Sequence, residues 1–156
     1  MKKGQKFNKF IGIDVSKDKL DIYYSWNYKN EQIKNNKSSI KSFVKYLKVE
    51  KQDLLVVIDL TGGYEAIAVR HFCKAGFNVH RAEGRKVKNF IRAYGENAKT
   101  DKIDAFMLTE YAKSFQNRLK LYKYNEKEEQ ETNLANIVRR LSDIEDILQK
   151  EKNRLK

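Results

Sequence analysis

Two short apolar runs, each carrying an aspartate near its end, constrain the fold of this chain more than any other feature. The run from Lys9 to Val15 contains Asp14, and the run that begins at Leu54 ends at Asp59. Apolar runs of this length, rich in Ile and Val, are typical of strands buried on both faces of a sheet. Because an isolated charge is costly to bury, we expect each aspartate to have partners close to it in the fold.

The remaining pattern predicts an α/β fold with a mixed five-stranded sheet flanked by helices and followed by a long C-terminal helix. Alternating residues 20–26 predict a half-buried second strand, and residues 31–36 predict a weak third strand. Apolar residues at helical spacing predict a helix that is capped by Ser38 or Ser39 and ends at residue 49. A second helix, with Ile67, Val69, Phe72 and Cys73 as its apolar residues, is predicted between the turn at residues 61–63 and a stop at Gly76. A short fifth strand over 77–80, a basic helix over 85–94 and a helix from residue 100 or 101 to about 114 follow. The resulting β-β-β-α-β-α-β-α order is the ribonuclease-H-like layout.

Charge is distributed unevenly along the chain. The net charge is +12, and residues 126–156 hold 7 Lys or Arg and 8 Asp or Glu, so the first 125 residues carry +13. A basic body predicts a polyanionic partner, most often nucleic acid. The alternative is a basic domain that binds nothing and is kept soluble by its charge. We predict one domain over residues 1–120 and an amphipathic helix over residues 121–156.

The C-terminal helix has apolar residues at the a and d positions of a heptad repeat. They are Leu134, Ile137, Leu141, Ile144, Leu148 and Leu155, with charged residues on either side. The spacing predicts a coiled coil and therefore a homo-oligomer, or a linker to a further domain. A helix folded back on the domain is the alternative.

Targeting features and cysteine content indicate a reducing cytoplasm. Cys73 is the single cysteine, which excludes an internal disulfide and a cysteine-rich zinc site. Asp14 interrupts the only apolar stretch near the N-terminus, which argues against a signal peptide. No apolar run approaches the length needed to span a membrane, so we expect no membrane association.

Four aspartates form the predicted site. Asp14 and Asp59 end apolar strands, whereas Asp101 and Asp104 lie one helical turn apart at the start of a helix. Phosphoryl transfer from a nucleic-acid backbone uses two divalent ions held by several carboxylates, and Mg²⁺ prefers such hard oxygen ligands. Each aspartate taken alone also fits an ordinary role in capping a helix or closing a turn. Together they predict a metal site that cuts or rejoins nucleic-acid backbone.

Basic residues cluster next to these acids. Those expected to hold phosphates are Arg85, Lys86, Lys88, Arg92, Lys99 and Lys102. A solvated helix face is the alternative meaning of such a cluster.

Four segments resemble a known family, the IS110-type (IS110/IS1111) insertion-sequence transposases, whose N-terminal domain is RuvC-like. They are IGIDVSK at residues 11–17, DLTGGY at 59–64, RKVKNF at 85–90 and KTDKIDA at 99–105. The resemblance spans residues 9–115 and implies a DEDD-type site with Mg²⁺ or Mn²⁺ as cofactor, two ions being expected. Asp14, Asp101 and Asp104 match the first, third and fourth acids.

This chain departs from the family at the second acid. The family usually has Glu before a Thr-Gly pair, where this chain has Asp59. Aspartate is shorter by one methylene, about 1.5 Å of reach, so it can bind metal but less tightly. Glu65 is close enough in the sequence to be a candidate for compensating. The resemblance also implies a C-terminal transposase domain with a serine nucleophile, and use of a guide RNA, neither of which these residues show.

The sequence therefore predicts the metal-binding DEDD domain of a DNA transposase or recombinase, acting on DNA phosphodiester bonds. One alternative is a stand-alone RuvC-like junction resolvase or nuclease, with the same fold and metal chemistry. Another is a non-catalytic nucleic-acid-binding and oligomerisation module whose acids hold no metal. A fragment of a sugar-kinase-like or actin-like ATPase is a fourth possibility, because residues 11–14 resemble the first phosphate loop of those proteins.

Overall fold

The computed structural model of the chain describes residues 6–47, 53–95 and 101–154. Within the last range the side chains of residues 101, 102, 128, 129, 132, 133, 135, 136 and 139 lie outside the description. The strands in the described residues are β1 (Lys9–Val15), β2 (Lys19–Tyr24), β3 (Asn30–Lys34), β4 (Leu54–Asp59) and β5 (Asn78–Ala82). The helices are α1 (Lys37–Leu47), α2 (Ala66–Lys74), α3 (Gly84–Tyr94), α4 (Asp101–Phe115) and α5 (Glu126–Arg154).

The strands form one mixed sheet in the order β3-β2-β1-β4-β5. The first three strands are antiparallel neighbours, whereas β4 runs parallel to both β1 and β5. Connections through helices are needed between the parallel strands, and α1 and α2 supply them. The predicted mixed five-stranded sheet with flanking helices is confirmed.

One face of the sheet is covered by α1 and α2, and we call it the α1–α2 face. Ile11, Ile13 and Val15 of β1 point to this side, as do Val56 and Ile58 of β4, and all are buried. The four apolar residues of α1 that share helical spacing are buried against them; they are Ile40, Phe43, Val44 and Leu47. Alternation along each strand therefore sends every second residue into this core.

The other face is covered by α3 and α4, and we call it the α3–α4 face. Phe10 of β1 and Leu55 and Val57 of β4 are buried here in one cluster with Leu108 and Tyr111 of α4. Because the pleat alternates, Gly12 and Asp14 share this side with Phe10. A Cβ atom at Gly12 would collide with the carbonyl oxygen of Ala105, so glycine is what allows α4 to approach β1 this closely.

Two local predictions were wrong. Strand β2 was expected to be half-buried, but Asp21 and Tyr23 on its supposedly polar side are buried because α4 covers them, with Tyr23 packing edge-on against Phe106. The cap of α1 was predicted at Ser38 or Ser39, but the helix already begins at Lys37, and its predicted end at Val49 lies outside the described residues. The side chain of Asn36 accepts a hydrogen bond from the Ser39 backbone N–H at 2.9 Å and caps it.

The chain divides into two compact units, Met1–Lys123 and Tyr124–Lys156. The second unit consists of α5, whose a and d residues are all exposed: Leu134, Ile137, Leu141, Ile144 and Leu148. Leu155, the last of the predicted heptad positions, lies outside the described residues. Among the described helices, none is long and apolar enough to cross a membrane.

Candidate active site

Asp14 and Asp59 lie on the same face of the sheet at the ends of neighbouring parallel strands. Ile13 of β1 is aligned with Ile58 of β4, and one further step along both strands brings Asp14 beside Asp59. Both carboxylates are half-buried on the α3–α4 face, where the apolar packing of that face ends. Parallel register thus places together two acids that are 45 residues apart in the sequence.

Asp104 of α4 lies close enough to Asp59 to affect its pKa. Burial raises the pKa of Asp59 to about 6, although a hydrogen bond from the backbone of Leu60 opposes the rise, and the negative charges of Asp104 and Glu65 add to it. Lys88 of α3 acts in the other direction. The carboxylates of Asp59 and Asp104 are therefore close enough to interact electrostatically.

Part of the predicted site lies outside the described residues. The backbone of Asp101 begins α4, but its side chain and that of Lys102 are not described, and Lys99 lies in the undescribed segment before the helix. Among the described side chains, no group of three or more His, Cys, Asp or Glu residues is arranged closely enough to hold a metal ion. The role of the four aspartates as metal ligands stays a prediction.

The donor chemistry nevertheless suits a hard divalent cation. The described acids at this edge offer carboxylate oxygens, which are the ligands that Mg²⁺ and Mn²⁺ prefer. Burial and the neighbouring negative charges make ionisation of Asp59 unfavourable, and a cation beside it would replace that repulsion with attraction. Gly84, at the start of α3, leaves room next to this carboxylate, since a Cβ there would lie 3.8 Å from Asp59 Oδ1.

Glu65 serves the loop that follows Asp59 and is not a substitute for it. Its buried carboxylate accepts hydrogen bonds from Gly63 N–H at 2.8 Å and from Thr61 Oγ1 at 3.1 Å, and it pairs with Arg81 at 3.1 Å. Burial alone would raise the pKa of Glu65, but these bonds lower it overall. Because Glu65 is already engaged, the hypothesis that it compensates for the shorter Asp59 is not favoured.

Asn35 ties together the two turns that follow the acid-bearing strands. Its side-chain Nδ2 donates to the carbonyl oxygen of Ser16 at 2.8 Å and to that of Tyr64 at 3.0 Å. The first carbonyl lies two residues after Asp14, and the second lies five residues after Asp59. The sequence offered no local signal for this residue, because the bridge depends on where the chain leaves β3 at the edge of the sheet beside β2.

Asp21 is a further acid that sequence reasoning missed. It is the direct cross-strand partner of Asp14 in the antiparallel β1–β2 pair, and it is buried. Lys19 Nζ lies 3.2 Å from one carboxylate oxygen, and the side chain of Gln32 donates to the other at 2.7 Å. Cross-strand register would have revealed this neighbour, but the alternating pattern of β2 assigned Asp21 to a solvent-facing side.

Helix α3 carries the described part of the predicted phosphate-binding surface. Arg85, Lys86, Lys88 and Arg92 are all exposed. Lys86 forms an ion pair with Glu83 at 2.7 Å, whereas Lys88 is near enough to Asp59 to lower its pKa. The helix therefore presents positive charge beside the acids, which is the arrangement that a nucleic-acid backbone approaching a metal site would require.

Comparisons with known proteins bear on the family and the fold. A sequence profile of the DEDD transposase family of IS110 elements, described as "Transposase", matches residues 11–156. A search of curated proteins finds no match. Two solved structures of RuvC from Thermus thermophilus are similar in fold, one alone and one in complex with a Holliday junction substrate. They cover 73% of this chain and 99% of their own, with TM-scores of 0.54 and identities of 13% and 14%, respectively.

Proposed function

The chain belongs to the IS110-type DEDD transposase family, and on that premise we propose that its first unit is a metal-dependent catalytic domain acting on DNA phosphodiester bonds. The observation that carries the proposal is the position of Asp14 and Asp59 at the ends of neighbouring parallel strands, with Asp104 near enough to Asp59 to raise its pKa. These acids come from two strands and a late helix, which is the scheme expected from the sequence. The proposed site is Asp14, Asp59, Asp101 and Asp104.

We assign these carboxylates the task of holding Mg²⁺ or Mn²⁺, with two ions expected. Bound there, the metal would supply Lewis-acid activation of the scissile phosphate and of the attacking group. The sheet fixes the backbones of Asp14 and Asp59, so their carboxylates need little reorganisation when phosphate arrives. Burial of Asp59 excludes part of the surrounding water, which strengthens every electrostatic interaction at this edge.

The basic residues beside the acids would hold the DNA backbone. Arg85, Lys88 and Arg92 of α3 lie on exposed positions, and Lys86, Lys99 and Lys102 complete the proposed surface. Contacts of this kind position DNA without reading its sequence. Selection of DNA sites then belongs to other parts of the assembly, and a guide RNA is one partner that the family resemblance implies.

Helix α5 is proposed to bring copies of the chain together. Its exposed a and d residues form an apolar stripe along one side, and such a stripe is buried when two helices pair. In a complete transposase this segment, residues 121–156, would also lead to the C-terminal domain that carries the serine. We therefore expect weak strand exchange from these residues alone, in a cytoplasmic setting.

The decisive experiment compares the Asp14→Asn variant with the unaltered chain and with an Asp18→Asn control. Asp18 is exposed in the turn that follows β1, so the control removes the same charge outside the proposed site. Mn²⁺ and Mg²⁺ affinity is measured by calorimetry, and cleavage is measured on element-end and branched DNA. We expect Asp14→Asn to lose at least about tenfold in metal affinity, or about 1.4 kcal/mol, together with cleavage, while the control keeps both.

Equal metal affinity and equal cleavage in all three proteins would remove the catalytic assignment. Activity on four-way junctions without activity on element ends would instead favour a junction resolvase. The similar RuvC structure in complex with a Holliday junction substrate makes this the natural alternative. A second candidate function is a non-catalytic nucleic-acid-binding module. The lack of a ready three-residue metal cluster among the described side chains favours it, and it predicts no binding of either metal at millimolar concentration.

A further inference from the structure

Basic residues form two regular stripes on the helices that cover the opposite face of the sheet. Lys37, Lys41 and Lys45 of α1 are spaced by four residues, as are Arg70 and Lys74 of α2. Residues four apart lie on the same side of a helix, roughly 6 Å apart along its axis. The lysines and Lys74 are exposed and Arg70 is half-buried. We call these five residues the α1–α2 basic surface.

No acid interrupts this surface within its own helices. Neither α1 nor α2 contains an Asp or Glu residue. Like charges spaced by four residues repel one another and destabilise a helix. A polyanion bound along the stripes would offset that repulsion.

The two stripes converge between the helices, which pack against each other. His71 of α2 reports this convergence: burial lowers its pKa, and the charges of Lys37, Arg70, Lys41 and Lys74 lower it further. A residue of α2 thus lies in the field of cations from both helices. Four of the five charges therefore surround one residue and act as one patch, and Lys45 extends the α1 stripe by one helical turn.

The patch is separate from the candidate active site because the sheet lies between them. Ile40 and Phe43 of α1 and Phe72 of α2 are buried in the core of the α1–α2 face. Asp14 and Asp59 lie on the other side of the same strands, next to α3 and α4. One nucleic-acid segment engaged with α3 and the acids cannot also run straight across α1 and α2.

We propose that the α1–α2 basic surface binds the backbone of a second DNA duplex while the α3–α4 face engages the first. The choice of DNA rests on the proposed function, since joining DNA ends requires an assembly that holds two DNA segments. The stripe from Lys37 to Lys45 extends about 12 Å. Each strand of a duplex carries a phosphate roughly every 3.4 Å of axis, so the stripe can neutralise several consecutive phosphates.

Three variants of the full chain test the proposal. The patch variant replaces Lys37, Lys41, Lys45, Arg70 and Lys74 with Gln. The charge control replaces five exposed cations elsewhere, namely Lys29, Lys34, Arg118, Lys120 and Lys123, with Gln. The α3 variant replaces Arg85, Lys88 and Arg92 with Gln. Gln has good helix propensity, and circular dichroism verifies that each variant is folded.

Binding of a short mixed-sequence DNA duplex is measured by fluorescence anisotropy over a series of salt concentrations, without divalent metal. We expect the slope of log affinity against log salt to fall by about 3 for the patch variant and by less than about 1 for the charge control. The α3 variant should also show a smaller slope than the unaltered chain. When its substitutions are combined with those of the patch variant, the two reductions in slope should add.

A patch variant that behaves like the charge control overturns the proposal, even if the α3 variant weakens binding as expected. A patch variant that loses binding of duplex RNA but keeps binding of duplex DNA also overturns it. Failure of the proposed catalytic function would show itself separately, in the metal affinity of Asp14→Asn, because the salt series contains no metal.

Discussion

The two faces of the sheet use the same strands for different purposes. On the α1–α2 face, the inward residues are apolar from Ile11 to Val15 of β1 and from Leu54 to Ile58 of β4. On the α3–α4 face, the inward series starts with Phe10 and Leu55 and finishes with Asp14 and Asp59. The difference shows that stability and a candidate site can be separated by alternation alone, since neighbouring residues point to opposite sides.

The two faces also differ in where their charged residues lie. The apolar α1–α2 core is covered by helices without acids, whereas the α3–α4 face places acids inside and cations around them. The first arrangement packs tightly and leaves its charge at the surface. The second keeps carboxylates half-buried at a cost in free energy, which is typical of sites that bind or react.

The largest expected effect is a loss of stability when a side chain is added where α4 packs against β1. Gly12→Ala should cost about 3 kcal/mol or more of unfolding free energy, because the added Cβ would collide with the Ala105 carbonyl oxygen. Gly84→Ala is the matched control on the same face, where a Cβ makes only an ordinary contact. Urea unfolding measures both, and equal stability of the two variants would mean that α4 does not pack on Gly12.

A smaller loss of stability should follow from Glu65→Gln in the loop that follows Asp59. The side-chain amide of this variant would place an N–H donor against the donors of Thr61 and Gly63, and it would lose the negative charge opposite Arg81. The free energy of unfolding should therefore fall by about 1–3 kcal/mol near neutral pH. The pKa of Glu65 is lowered in the fold, so its contribution is lost as the pH falls through that pKa, and the variant should then approach the parent.

Glu83→Gln is the matched control for this second prediction. Its ion pair with Lys86 is exposed on both sides, so thermal unfolding should change little at any pH. If Glu65→Gln behaved like this control at neutral pH, the buried hydrogen bonds to the loop would not be stabilising.

The smallest expected effect has the opposite sign. Asp59→Asn should stabilise the metal-free protein by about 1–2 kcal/mol above pH 7, less than the whole pKa shift implies because the carboxyl is partly solvated. A raised pKa means that stability is lost as the pH rises from about 4 to about 6, so the gain should vanish at acidic pH. Thermal unfolding across this range measures it.

Two additions sharpen this third prediction. Asp18→Asn, at an exposed position, should show no such pH-dependent gain. Millimolar Mn²⁺ should stabilise the parent and remove the advantage of Asp59→Asn, since the cation would relieve the repulsion that the substitution also relieves. A gain that is independent of pH would contradict the assignment of Asp59 as a partly buried carboxyl.

The strands and the first helix could be predicted because their signals are local. β1 and β4 have the bounds that their apolar runs predicted, and all four helically spaced apolar residues of α1 are buried. Ile67 was expected among the apolar residues of α2 but is 39% exposed, because α2 begins at Ala66 and turns Val69 and Phe72 inward instead. A short helix leaves its exact rotation to tertiary packing.

The residues of the candidate site likewise divide into those that local signals predicted and those that they did not. Asp14 and Asp59 were each predicted at the end of a buried strand, and the parallel register of β1 and β4 puts these two strand ends next to each other. Asn35 and Asp21 could not be foreseen, because one depends on the return of β3 and the other on the cover that α4 provides. Residues that act through long-range neighbours carry no periodic signature, and they are the ones that sequence reasoning misses.

The close approach at Gly12 also sets an order of events during synthesis. The strand that carries Asp14 is translated before α4, yet the backbone that packs against Gly12 belongs to Ala105 of α4. A nascent chain has to retain β1 in a loosely packed state until nearly 100 further residues have left the ribosome. High contact order of this kind slows folding, so the α3–α4 face completes its packing only after translation has passed α4.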